Sequence, residues 1–206
     1  MFAEERISAS LSLSTLAGFI RCRVVVLLLS VICCLPLPVC AGGHPGIIKL
    51  EDAYTWRIDG SDYLNAQFSI ELSSGAEEAV QNAVPLLFEL QVQVVENHTW
   101  IWDSVVIEIT ERRMLQYHAL SESFQVKDLN AGTQGNYHRL DDALQAAGKI
   151  SSLLLTDQSL DRGPSYSIRL RGSLDVESLP TPVRLIAYMS SDWNMVSKWY
   201  KWQLLQ

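Results

Sequence analysis

Strict alternation of apolar and polar positions recurs along this chain, and it predicts strands with one buried face. Over residues 64–72, Leu64, Ala66, Phe68, Ile70 and Leu72 alternate with Asn65, Gln67, Ser69 and Glu71. The same period places Leu86, Phe88, Leu90, Val92 and Val94 on one face, and later Tyr166, Ile168, Leu170 and Leu174, with Arg169 and Arg171 opposite. One-sided strands of this kind belong to antiparallel sheets. Asp59-Gly60 reads as a hairpin turn joining a first strand, about 47–58, to the second, since both residue types accept positive φ. A second hairpin is expected at 119–122, between a long strand of about 101–118 and the stretch SFQVK. Two helices interrupt the strands. One is expected from Ser74, with Glu77 completing a capping box and Pro85 ending it. The other is LDDALQAAGKI, residues 140–150, with Leu140, Ala143, Leu144 and Ala147 on one face. After the turn 179–182, VRLIAYM and MVSKWYKWQLL are read as the last strand pair. The pattern predicts a mainly β domain: an antiparallel β-sandwich or strongly curved sheet of eight to ten strands with two short helices.

The first 41 residues follow a different pattern. A continuous apolar run, Val24 to Leu35, follows Arg21 and Arg23 and is closed by Pro36 and Pro38. That order reads as a signal peptide, cleaved after Val39-Cys40-Ala41. The run is a dozen residues, short of the roughly 20 that span a bilayer. Retention as an inner-membrane anchor through 24–39 is the alternative, and lipidation of Cys40 is disfavoured by the bulk of Val39. The acidic opening MFAEER suits a reading frame that starts too early. Residues 42–206 are expected to form a single periplasmic domain.

Removing the leader changes the charge and thiol content. All four cysteines (Cys22, Cys33, Cys34, Cys40) lie in it, so a mature chain holds its fold without disulfides. Residues 42–206 carry 13 Lys and Arg against 21 Asp and Glu, a net charge of −8. This opposes nucleic-acid binding, which needs cations to displace phosphate counterions, and it disfavours docking on anionic lipid.

Catalytic signatures are missing. The four histidines (His44, His98, His118, His138) lie 54, 20 and 20 residues apart, so none has the spacing of a helical zinc motif. Neither a metal nor a cofactor is expected. No phosphate loop or Gly-x-Ser-x-Gly elbow occurs. His118 with Glu122 at a turn reads as a surface contact, and Asp141-Asp142 as helix N-terminal charge. Asn97-His98-Thr99 matches a glycosylation sequon. What remains is aromatic, and most of the six tryptophans are expected in the core because each buries roughly 150–250 Å². Parity with Val105, Ile107 and Ile109 puts Trp100 and Trp102 on the opposite, polar face unless a bulge intervenes. Near the C-terminus, Trp193 falls in a turn, Tyr200 and Trp202 face the core, and Trp199 faces outward. Trp100, Trp102, Trp193 and Trp199 are therefore the candidate binding residues.

The stretches VPLLFELQVQV, RRMLQYHALSESFQV and RLDDALQAAGKI, the Leu174-Asp175 to Leu179-Pro180-Thr181-Pro182 segment, and the closing Ser190, Trp193, Ser197, Trp199 and Trp202 pattern resemble one exported bacterial family, described as domain of unknown function 4390. The resemblance covers most of 47–206. It implies a proteobacterial envelope protein whose gene often neighbours a membrane sensor kinase of the nitrogen-regulation type, and it supplies no catalytic residues. The chain is therefore expected to be a non-enzymatic binding or adaptor protein, presenting a sheet edge or aromatic face to the outer part of such a sensor. A small-ligand binder holding glycan or lipid on exposed tryptophans is the alternative, and an envelope hydrolase stands third.

Overall fold

The computed structural model describes residues 44–98, 103–156 and 165–204. Among them are nine strands in two antiparallel sheets and three α-helices. β1 (Ile47–Ile58) and β2 (Ser61–Glu71) form the predicted hairpin, turning on Asp59 at φ 50° and Gly60 at φ 84°. β7 (Lys149–Thr156) adds to the other side of β2, giving a three-stranded sheet in the order β1-β2-β7. The second sheet has the order β6-β5-β4-β3-β8-β9. It contains β3 (Leu86–Asn97), β4 (Ser104–His118), β5 (Ser123–Asp128), β6 (Gln134–Tyr137), β8 (Ser165–Leu174) and β9 (Tyr200–Gln203).

The alternating sets all point inward. Leu64, Phe68, Leu86, Phe88, Leu90, Ile168 and Leu170 have no exposed surface, and they belong to one core that both sheets share. Where β8 crosses the first sheet, Gly172 lets the backbones close up: a Cβ there would lie 2.7 Å from Ile48 Cγ2 and 3.2 Å from the Phe68 ring. The two faces belong together as a β-sandwich.

The first helix, α1 (Ser74–Gln81), is capped one residue earlier than the sequence suggests: Ser73 Oγ accepts from the Ala76 amide. Ser74, freed from capping, places its Oγ 2.9 Å from His44 Nδ1. The second helix, α2 (Leu140–Ala147), stops three residues short of the predicted end. Gly148 turns the chain so close to β2 that a Cβ would sit 2.1 Å from the Phe68 carbonyl oxygen, and Phe68 N–H donates to the Gly148 carbonyl at 2.8 Å. Lys149 and Ile150 thus begin β7 instead of ending a helix.

Two C-terminal expectations are corrected. VRLIAYM is not a strand: residues Thr181–Met189 form a helix, α3, with Pro182 in its first turn. Val183 and Ala187, four residues apart, take the inward side, while Leu185 and Ile186 are both exposed. Adjacent exposed apolar residues fit a helical surface, and a short apolar run is ambiguous by periodicity alone. The last strand is also shorter than MVSKWYKWQLL, because only Tyr200–Gln203 joins the ladder, with an isolated bridge between Val196 and Ser173. Between them Ser197 leaves the strand path, and its Oγ accepts from the Gly172 amide at 2.9 Å.

Candidate functional site

Of the four predicted tryptophans, Trp193 and Trp199 lie among the described residues, one in the core and the other on the surface. Trp193 is 4% exposed, packed in the core over Gly75, where a Cβ would come within 3.1 Å of its Nε1. Its turn is a single 3₁₀ turn, Ser191–Trp193, that folds the ring inward, so it offers no ligand surface. Trp199 is 37% exposed on the outer face of the large sheet, with the Arg171 guanidinium 5.5 Å from its ring centroid. That cation–π contact already occupies one ring face. Trp100 and Trp102 lie outside the described residues. The parity behind them changes, though: a bulge between Val94 and Val95 pairs Ile107 with Val94 but Val105 with Val95, so Val105 leaves the Ile107 and Ile109 face.

Near Trp199, Asp103 accepts from Lys201 Nζ at 2.9 Å and from Arg169 Nη2 at 3.1 Å. The Lys201 hydrogen bond, more than the charges around it, holds the Asp103 carboxyl below the ordinary aspartate range. Arg169 Nε is buried without a hydrogen-bond partner. These contacts tie the start of β4 across β8 and β9 on the polar outer face, where Glu89 also meets Arg112 at 2.9 Å and Gln93 meets Glu108 at 3.1 Å.

A more concentrated aromatic surface lies on the outer face of the small sheet. The β1–β2 register sets Trp56 opposite Tyr63 and Tyr54 opposite Asn65, and all four side chains point away from the core. Trp56 stacks on Tyr63 with centroids 5.7 Å apart and planes at 18°, and Tyr54 leans on Trp56 at 5.7 Å and 38°. Tyr54 is 52% exposed, and Ile58 and Leu154, opposite Ser61 and Tyr63, extend the patch. Cross-strand aromatic pairs add roughly 0.2–1 kcal/mol each to the sheet.

This surface is held rigidly from both sides. Arg57 donates twice to the buried Asp62 carboxylate, at 2.7 and 2.8 Å, which fixes the hairpin beneath Trp56. Those hydrogen bonds raise the Arg57 pKa further above its ordinary value. Asn65 donates to the Tyr54 hydroxyl and accepts from the Ser152 amide at 2.6 Å, fixing the outer ring. The sequence carries the signal for this patch. Tyr54, Trp56 and Ile58 share a parity, and the two-residue Asp59-Gly60 turn places Tyr63 across from Trp56.

The titratable residues give no such focus. His118 Nε2 lies 3.3 Å from Gln125 Oε1, on the strand beyond the turn. Arg113 bridges Glu111 at 2.9 Å and Asp128 at 3.0 Å beneath a cleft of about 330 Å³ lined also by Tyr137, Lys149 and Ser151. The charged lining is Arg113 and Lys149 against Asp128, and the Arg113 guanidinium is already taken up by Glu111 and Asp128. Among the described residues no three His, Cys, Asp or Glu side chains come together as metal ligands. Asn97 donates to the Ser165 carbonyl at 3.0 Å and Ser167 Oγ at 2.7 Å, so its sequon amide is committed to β8.

Residues 47–203 match the family model described as domain of unknown function, DUF4390. The chain belongs to the DUF4390 family. The matched range runs from the first residue of β1 to the last of β9, so the DUF4390 domain comprises both sheets and all three helices. No curated protein and no solved structure matches the chain.

Proposed function

We propose that this DUF4390 protein is a non-enzymatic adaptor of the bacterial cell envelope, exported to the periplasm, that docks the extracytoplasmic part of a membrane sensor kinase. The observation that carries the reading is the outward-facing Tyr54, Trp56 and Tyr63 cluster, exposed at Tyr54 and half-buried at Trp56 and Tyr63, with its exposed apolar flanks Ile58 and Leu154. Tyrosine and tryptophan dominate the energetics of protein interfaces, because rigid rings bury large areas at low entropic cost. The leader supports export, and the gene neighbourhood implied by the family supports the choice of partner.

Photo-crosslinking in cells tests this. A benzophenone side chain at Trp56, Ile58 or Leu154 is expected to capture the sensor's periplasmic domain, and one at Leu120, on the 119–122 turn, is not. Absence of a sensor adduct from all three positions would overturn the partner.

Glycan binding is the second reading, favoured by a small cleft beside Tyr54 lined by Asp52, Asn65, Gln67 and Lys149. It requires that envelope glycans shift the tryptophan emission, with the shift lost in Trp56→Ala. An unmoved spectrum removes it.

A further inference from the structure

His44, an exposed residue just ahead of β1, is folded back on itself around one oxygen atom. Its backbone N–H donates to Ser74 Oγ at 3.2 Å, and the same Oγ lies 2.9 Å from its ring Nδ1. His44 N, Cα, Cβ, Cγ and Nδ1 therefore close a six-membered ring with that oxygen, the imidazole standing over its own amide. Because Oγ accepts from the amide, the hydroxyl proton is directed at Nδ1, which leaves the imidazole proton on Nε2. The Ser74 N–H donates in turn to the His44 carbonyl at 3.4 Å, so the residue is held against the first turn of α1. Ser74 is available for this because Ser73 caps the helix.

A histidine in this conformation can chelate a metal ion together with its own backbone. The deprotonated amide nitrogen and Nδ1 take adjacent corners of a square plane, and the ion sits where Ser74 Oγ sits here. The other two corners call for nitrogen donors carried by the residues immediately ahead. Cleavage after Val39-Cys40-Ala41 supplies them, because the mature chain then begins Gly42-Gly43-His44. The new α-amine of residue 42, the amides of residues 43 and 44, and Nδ1 of His44 follow one another along the chain, so each neighbouring pair closes a small chelate ring on a single ion. Neither glycine carries a Cβ that would obstruct such a plane. No second side-chain ligand is needed, and the spacing of the histidines therefore held no sign of it. A plane of nitrogen donors that includes imidazole suits Cu(II), which also stands highest among the divalent first-row ions in affinity for such donors.

We propose that the processed N-terminus, Gly42-Gly43-His44, is a square-planar Cu(II) site of the exported protein. It rests on the export and cleavage part of the functional reading and is independent of the partner assigned to the aromatic face. As Cu(II) binds, the ammonium proton of residue 42 and the amide protons of residues 43 and 44 pass to solvent, and the resulting pair of amidates balances the charge of the ion. Ser74 Oγ yields its place to the metal, while the Ser74 N–H can keep the His44 carbonyl against α1. Trp193 packs over Gly75, the residue after Ser74, which puts an indole close to the bound ion.

Copper titration of the naturally processed protein tests the proposal. The chain is expressed with its own leader and without a histidine tag, purified from the periplasm, sequenced from its N-terminus and titrated with Cu(II) alone. Residue 42 is expected to come first, and each chain to retain a single Cu(II) in excess glycine, with nitrogen hyperfine structure from a full square of nitrogen donors in its paramagnetic resonance spectrum. Gly43→Ala keeps the amide N–H and is expected to leave that spectrum unchanged. Gly43→Pro, which has no amide proton to lose, is expected to abolish it, as is His44→Ala, whose exposed side chain removes no core contact. Bound Cu(II) is expected to quench tryptophan emission, and Trp193→Phe to lower that quenching while the resonance spectrum persists. A chain that begins at residue 42 yet gives no all-nitrogen spectrum, or keeps it with Gly43→Pro, overturns the metal site and leaves export standing. A different first residue overturns the site through the cleavage on which it rests. Quenching that is undiminished in Trp193→Phe places the ion away from α1 and overturns the exchange with Ser74.

Discussion

Arg113 lies between two acids with a tenth of its side chain exposed, bonding Glu111 at 2.9 Å and Asp128 at 3.0 Å. Desolvating three charges is costly, and Glu111 depends on the guanidinium, whereas Asp128 also accepts from two backbone amides. Arg113→Ala is expected to cost about 3–5 kcal/mol in urea unfolding by stranding the nearly buried Glu111 carboxylate and removing one partner of Asp128. Glu111→Leu combined with Arg113→Met is expected to cost less than the single change, since Asp128 keeps its bonds to the Asn130 and Ala131 amides. A single-variant loss under about 1 kcal/mol would show that water compensates the acids. At this scale the sequence was only partly informative. It separated outward Trp199 from inward Trp202, because Trp199 directly precedes the strand that holds Trp202 and keeps its alternation. It misjudged Trp193, whose direction is set by a 3₁₀ turn and by the missing side chain at Gly75, neither of which follows from parity.

Elements were legible where the chain alternates without interruption. β1 has its expected bounds, β2, β3 and β8 are built on their alternating stretches, and both hairpin turns lie where expected. β7 was hidden because Ser152, at φ 49°, inserts an irregularity into an eight-residue strand and breaks the period. α3 was hidden because its short apolar core satisfies both periods, and a strand was the reading that matched the neighbouring sequence. The β1–β2 turn offers a direct check on the element that carries the aromatic patch. With Asp59 and Gly60 both at positive φ, Gly60→Ala is expected to cost about 1–2 kcal/mol. The loss should appear as a lower denaturant midpoint with an unchanged slope. No loss would mean that the turn relaxes to another type and that Trp56 is free to move off Tyr63.

For the whole domain, the two sheets bury one continuous core, and the contact of Gly172 with Ile48 and Phe68 couples them directly. Unfolding is therefore expected to be a single transition: far-ultraviolet dichroism and tryptophan emission, which includes that of buried Trp193, should give the same midpoint. Separate midpoints would mean that the small sheet melts alone. The free edges bear on how a partner can approach. Four edge strands bound the sheets, and each is blunted. β6 and β9 have four residues apiece, β7 is interrupted at Ser152, and the long β1 carries Lys49, Glu51, Asp52 and Arg57 with a bulge between Leu50 and Asp52. Charges, bulges and brevity are the devices by which sheets refuse an added strand. Between a sheet edge and an aromatic face as the means of docking in the proposed role, the blunted edges favour the face, because a backbone guarded in this way resists strand exchange.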